Sequence, residues 1–195
     1  AMCPPSITWA HSDSMAVSGV ALHFCHGVSG LAAGIDKAAH EGALAATNGA
    51  SSIAVIGTGM DLVYPASNRE TYRQMAKHGL ILSEFKLGTP AQTQNFPRRN
   101  RVIVGLSKAC LVVESASDGG SMISANFALE MGRDVMAIPG SIHNPMARGC
   151  HKLIKQGAKL IETASDVLDE FSVLQNTLFH NEINTNNEDP ILQAL

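Results

Sequence analysis

The chain has 195 residues, 45% of them apolar, and a formal net charge of −3 from 14 Lys and Arg against 17 Asp and Glu. That length supports one sizeable α/β domain with a real core, and the charge balance excludes a nonspecific DNA-coating or membrane-surface protein that works by bulk positive charge. Cys3, Cys25, Cys110 and Cys150 form no C-x-x-C pair and no run nears the roughly 20 apolar residues of a bilayer span, so a cytoplasmic protein with free thiols and no membrane, metal or cofactor is expected.

Residues 1–26 show neither periodicity nor turn chemistry. Ser29-Gly30-Leu31-Ala32-Ala33-Gly34-Ile35-Asp36 then sets small residues between a strand end and a helix over Lys37 to Thr47. Backbone amides in such a turn can hold an anion; equally, the glycines relieve crowding and Asp36 caps the helix. His40, one turn on, reads as a packed or capping histidine with no partner for nucleophilic chemistry. From Ser51 onward, apolar runs at Ile53–Ile56, Leu80–Leu82, Ala109–Val113, Val135–Ile138 and Lys159–Ile161 read as buried strands. Between them, helix patterns fit Ser67–His78, Arg98–Ser107, Ser121–Met131 and Gly149–Gln156. The alternation predicts a mainly parallel sheet with helices on both faces, whose ligands bind at the carboxyl ends of the strands.

Those strand ends carry Gly57-Thr58-Gly59, Ser83-Glu84, Glu114 and Pro139-Gly140. Gly57-Thr58-Gly59 lacks the third glycine of a dinucleotide fingerprint, since Leu62 stands there, so a tight turn is at least as good a reading as phosphate contact. Tyr64 either stacks at the rim or fills the core. Gly119-Gly120-Ser121 opens a helix, with Ser121 a cap or a donor to phosphate; no lysine follows, so it is not a P-loop. The irregular stretch from Lys86 to Pro97 delivers Phe96, Arg98, Arg99 and Arg101 to the same edge. Arginine forks suit phosphates and an aromatic face suits a base, which makes nucleic acid the leading ligand. Arg98 and Arg101 share a helical face, whereas Arg99 and Asn100 could tie the loop to Glu84 or Glu114.

Taken in order, Ser29-Gly30-Leu31-Ala32 with Gly34-Ile35-Asp36, Gly57-Thr58-Gly59, Tyr64-Pro65, Ser83-Glu84-Phe85, Phe96 through Arg101, Val112-Val113-Glu114, Gly120-Ser121 and Pro139-Gly140-Ser141 closely resemble the DNA-processing protein A family, DprA/Smf. The resemblance runs from Val28 to Phe171. It implies an extended Rossmann-like fold that binds single-stranded DNA, protects incoming strands in natural transformation and loads the RecA recombinase, with homodimerisation and no catalysis. On this reading the DNA-binding set is Ser29, Gly30, Gly57, Thr58, Gly59, Phe96, Arg98, Arg99, Arg101, Gly120 and Ser121. The domain then spans 28–171, after an atypical N-terminal segment at 1–27. A polar linker follows at 172–189, and 190–195 begins a further, cut-off domain.

Two departures stand out. The family's early strand ending in Gly-Ser-Arg has no match in residues 1–27, implying loss of a sheet strand and of one DNA contact. Asp118 places a carboxylate ahead of Gly119-Gly120-Ser121, where family members carry a basic residue. The competing readings are a nucleotide-binding Rossmann module and a phosphoribohydrolase-like enzyme acting on nucleoside monophosphates. The latter needs a glutamate one turn beyond the glycines, where this chain has Ser124, Ala125 and Asn126.

Overall fold

The computed structural model describes residues 6–10, 26–45 and 52–171. The chain divides into two compact units, Ala1–Glu162 and Thr163–Leu195. The first is built on one seven-stranded sheet in the order β4-β3-β2-β1-β5-β6-β7, with every adjacent pair parallel. Its strands are β1 (Ser6–Ala10), β2 (His26–Ser29), β3 (Ser52–Val55), β4 (Leu80–Leu82), β5 (Ala109–Val112), β6 (Asp134–Ala137) and β7 (Lys159–Leu160). The helices are α1 (Ile35–Ala45), α2 (Arg69–His78), α3 (Asn95–Gly105), α4 (Gly120–Glu130) and α5 (Arg148–Lys155). In the second unit, residues 164–171 are helical. Thr163 and Asp166 cap that helix reciprocally: the Thr163 amide donates to the Asp166 carboxylate at 2.8 Å, and the Asp166 amide donates to Thr163 Oγ1 at 3.4 Å.

The alternation of side chains along β3 sorts the helices onto two faces. Ala54 and Ile56 pack with Leu31, Met75 of α2 and Leu44 of α1, whereas Ile53 and Val55 pack with Val102 and Ile103 of α3. On the α3 face, Val104, Cys110, Val112, Met122, Ala125, Cys150 and Leu153 form one buried cluster that joins α3, α4 and α5 to β5. Every residue of β5 is fully buried, as expected for a parallel strand covered on both sides. Each such Val or Leu contributes about 1.5–3 kcal/mol by leaving water. Burial also pushes the Cys110 thiol up to about 12 and the Cys150 thiol to about 11, so neither is a thiolate at neutral pH.

Strands β3 to β7 lie within a residue or so of their expected limits. The expectation that the segment before Val28 supplies no strand is corrected: Ser6–Ala10 sits at the centre of the sheet, with Thr8 opposite both Val28 and Cys110. A second correction concerns α3, which begins at Asn95 rather than Arg98, so Phe96 and Pro97 belong to its first turn instead of the preceding loop. Proline is tolerated there because the first amides of a helix have no intrahelical acceptor. The helix expected from Ser67 starts as a 3-10 turn at Ala66–Asn68 and becomes α-helical at Arg69. The proposed linker at 172–189 and the segment 190–195 lie outside the described residues.

Candidate nucleic-acid interface

The carboxyl ends of β2, β3 and β5 open onto a cavity of about 500 Å³. Its walls are Gly30, Ala32, Ala33 and Asp36 after β2; Ile56, Gly57, Thr58, Tyr64 and Pro65 after β3; Phe96, Arg99, Asn100 and Ile103 of α3; Ser115, Gly119, Gly120, Ser121 and Ser124 after β5; and Met146 after β6. Of the sequence-derived set, Gly30, Gly57, Thr58, Phe96, Arg99, Gly120 and Ser121 therefore converge on one cavity. Ser29, Gly59, Arg98 and Arg101 lie off its lining.

The turn after β2 already holds an anion, the chain's own. Asp36 Oδ2 accepts the amides of Gly30 at 3.0 Å and Ala32 at 3.1 Å. Between those amides Leu31 adopts φ 57°, a left-handed conformation that disfavours a branched aliphatic residue. Asn68 Nδ2 donates to the carbonyls of Leu31 and Ala32, both at 2.9 Å, so side-chain bonds on both sides of Leu31 fix the turn. The Gly30 amide is thus committed, and Asp36 caps the incoming loop rather than the helix start.

The three arginines have separate fates because Asn95, Arg99 and Ile103, spaced four apart, share the buried face of α3, and Arg98 and Arg101 point elsewhere. Arg99 is 5% exposed. Its Nη1 donates to the carbonyl of Gly30 at 2.6 Å and to that of Val55, and its Nε donates to Asn100 Oδ1 at 3.1 Å. Burial lowers its pKa and the Asp36 carboxylate opposes that shift. Arg101 forms a two-oxygen ion pair with Glu84 at 2.5 and 2.7 Å. The expected tie of Arg99 to Glu84 or Glu114 is therefore corrected: Arg101 takes Glu84, while Asn144 Nδ2 donates to Glu114 at 2.8 Å. Arg98 is exposed, its guanidinium 5.9 Å from the centroid of the Phe85 ring.

Two glycines serve these α3 side chains directly. A Cβ at Gly30 would come within 2.5 Å of Arg99 Cζ, and one at Gly57 within 3.0 Å of Phe96 Cδ1. Asn95 Nδ2 donates to the Gly57 carbonyl at 3.1 Å, so the first turn of α3 is pinned to the end of β3. Thr58 Oγ1 donates to the Leu62 carbonyl, and a Cβ at Gly59 would meet the Lys86 carbonyl at 2.6 Å, which makes Thr58 and Gly59 turn-packing residues.

The start of α4 differs from those turns. Gly119 is its N-cap with extended backbone and no side-chain cap, so Ser121 lies inside the first turn and does not cap the helix. A Cβ at Gly120 would meet nothing within 4 Å. First-turn amides, a helix dipole and open space beside Gly120 together suit an anion that enters the cavity.

His40 is wholly buried behind the Asp36 turn. Ser52 Oγ donates its only proton to the Gly27 carbonyl at 3.0 Å, so His40 Nδ1–H donates to Ser52 Oγ at 2.7 Å and Nε2 is bare. Nε2 has no partner among the described residues. Burial lowers the His40 pKa to about 4; Asp36 opposes this and Arg99 adds to it. The imidazole is therefore neutral at pH 7, consistent with a packed histidine. Sequence reading missed the cavity roles of Asp36, Asn100, Ser115, Ser124 and Met146. The four-residue spacing Asn95, Arg99, Ile103 was the available signal for the inward face of α3.

The family model described as DNA recombination-mediator protein A matches residues 10–172. The DNA processing protein DprA of Streptococcus pneumoniae is 49% identical over 144 residues, covering 74% of this chain and 50% of that protein. Protein Smf of Escherichia coli is 45% identical over 158 residues, covering 80% of this chain and 40% of that protein. The chain thus spans half or less of the length of these curated relatives. The X-ray structure of the pneumococcal DprA superposes with a TM-score of 0.78 at 41% identity, covering 85% of this chain and 61% of that one. A DNA processing protein A from Helicobacter pylori, studied for its single-stranded DNA binding mode, gives 0.77 at 24% identity, covering 89% and 82%, and bears on the fold alone.

Proposed function

Because the chain belongs to the DNA recombination-mediator protein A family, we propose that its strand-end cavity binds single-stranded DNA with little sequence preference, protecting incoming strands in natural transformation and presenting them to the RecA recombinase. The observation that carries this is the pairing, in one cavity, of an aromatic wall at Phe96 with an uncapped α4 start at Gly120 and Ser121. The aromatic wall suits a base and the first-turn amides of α4 suit a phosphate. Arg98, exposed and outside the cavity, meets a flanking phosphate; Arg99 holds the strand ends, and Ser29, Thr58 and Gly59 shape the rim. Arg101 joins the phosphate path only to the extent that Glu84 releases it.

The protein acts in the cytoplasm as a homodimer and does no chemistry of its own. Asp36 is the sole carboxylate among the described cavity residues and is held by the Gly30 and Ala32 amides, while the stretch where a phosphoribohydrolase would place its glutamate reads Ser124, Ala125 and Asn126. No described helix is long and apolar enough to cross a membrane.

Fluorescence anisotropy of a labelled oligo-dT with the purified chain, at low and moderate salt and against duplex competitor, tests the reading. Salt-sensitive binding that duplex competes poorly is the expected result. A folded chain that ignores oligo-dT, or that releases free base from AMP, overturns it.

A further inference from the structure

Tyr64 joins the cavity wall without belonging to the sequence-derived set. It is 51% exposed, and its ring centroid lies 5.7 Å from that of Phe96 with the planes tilted by 33°. Phe96 is the inner of the two rings. It packs against Gly57, where even a methyl group would be 3.0 Å away, and the Arg99 guanidinium lies 5.8 Å from its centroid. At 5.7 Å the rings are already in tilted contact, so no base fits between them. The surface an incoming base can cover is therefore the outer face of Tyr64.

The loop carrying Tyr64 is held at several points. Thr58 Oγ1 donates to Leu62 at 3.0 Å, Tyr72 Oη to Met60 at 2.6 Å, and Asn68 to Leu31 and Ala32 at 2.9 Å. A loop held in place before the ligand arrives loses little freedom on binding.

We propose that Tyr64 is the outer stacking platform for a base, backed by Phe96, with the neighbouring phosphate directed toward the first turn of α4. This rests on reading the cavity as a single-strand site. Pairing between aromatic rings and bases needs only a π face, so Tyr64→Phe keeps affinity for oligo-dT. Tyr64→Ala weakens it by roughly 5- to 150-fold, the range that loss of one stacked base spans.

The discriminating probe is an abasic strand of the same length, which keeps the phosphates and removes the bases. Anisotropy titrations of wild type, Tyr64→Phe and Tyr64→Ala are run against both strands, with thermal melts of each protein. The expected result is that Tyr64→Ala loses affinity for oligo-dT and binds the abasic strand as wild type does. Tyr64→Leu, which keeps apolar bulk without a π face, gives the same outcome and covers the case of an unstable alanine variant. Equal losses on both strands, or an unchanged oligo-dT affinity, overturn the stacking role while leaving the single-strand reading intact. A wild-type protein that binds neither strand overturns both.

Discussion

Replacing Arg99 by methionine keeps most of the side chain's length and removes its donors. Two buried carbonyls, those of Gly30 and Val55, then lose their guanidinium partner, and they cannot be deleted because they belong to the backbone. An orphaned buried acceptor costs about 1–3 kcal/mol, so the pair costs about 2–6 kcal/mol. The cost of keeping a charge buried disappears at the same time and offsets part of that. The net expectation is about 2–4 kcal/mol, a large share of the roughly 5–15 kcal/mol that holds a typical domain folded. In urea, with a slope of about 2 kcal/mol per molar, the midpoint drops by about 1–2 M. Arg99→Lys, which supplies a compact cation but no Nε bond to Asn100, falls between the two proteins. An unfolding free energy for Arg99→Met within about 0.5 kcal/mol of wild type, the range of an exposed position, would refute the bridging role and return Arg99 to the pool of ligand contacts.

Three further outcomes follow from the same geometry. Arg98→Gln makes the plot of log affinity for oligo-dT against log salt shallower by about 0.7, the slope for one phosphate on a single strand, whereas an unchanged slope removes Arg98 from the backbone path. Glu84→Gln frees Arg101 from its ion pair and strengthens oligo-dT binding at low salt; weaker binding by a folded variant shows the pair to be part of the interface. For His40, the folded pKa of about 4 lies below the unfolded 6.5, so the unfolded state binds more protons between those values and stability falls as pH drops through that window. The loss by pH 4 is of order 3 kcal/mol, and urea titrations at pH 7 and pH 5 should show a smaller drop for His40→Gln than for wild type.

The sheet from β3 onward was legible because its strands are short apolar runs separated by amphipathic segments, and burial on both faces leaves a near-continuous apolar signature such as Ala109 to Val112. Ser6–Ala10 was not, because nothing local marks it. Its place comes from β2 and β5 pairing on either side, and the latter lies about a hundred residues away. In the site, residue types announced arginine and aromatic chemistry, but the assignment of each arginine depended on helix phase. Arg99 falls on the buried stripe with Asn95 and Ile103, under Gly30, which leaves Arg98 and Arg101 outside. The Asp36 turn was open to two readings because a carboxylate that fills an anion cradle and one that caps a helix look the same in sequence. Only the bonds to Gly30 and Ala32 separate them.

The central position of β1 also shapes how the chain reaches its folded state. Strands β1 to β4 can pair as soon as Leu82 is made, but the second edge of β1 finds its partner only at Ala109–Val112. Until then a nascent chain carries an open parallel edge in the middle of its future sheet, a template for mispairing with another chain. Closing that gap is a contact of high sequence separation and sets a slow folding rate relative to the helical segments. Conditions that delay synthesis between Leu82 and Ala109 therefore favour aggregation, and supplying the β5 segment early relieves it.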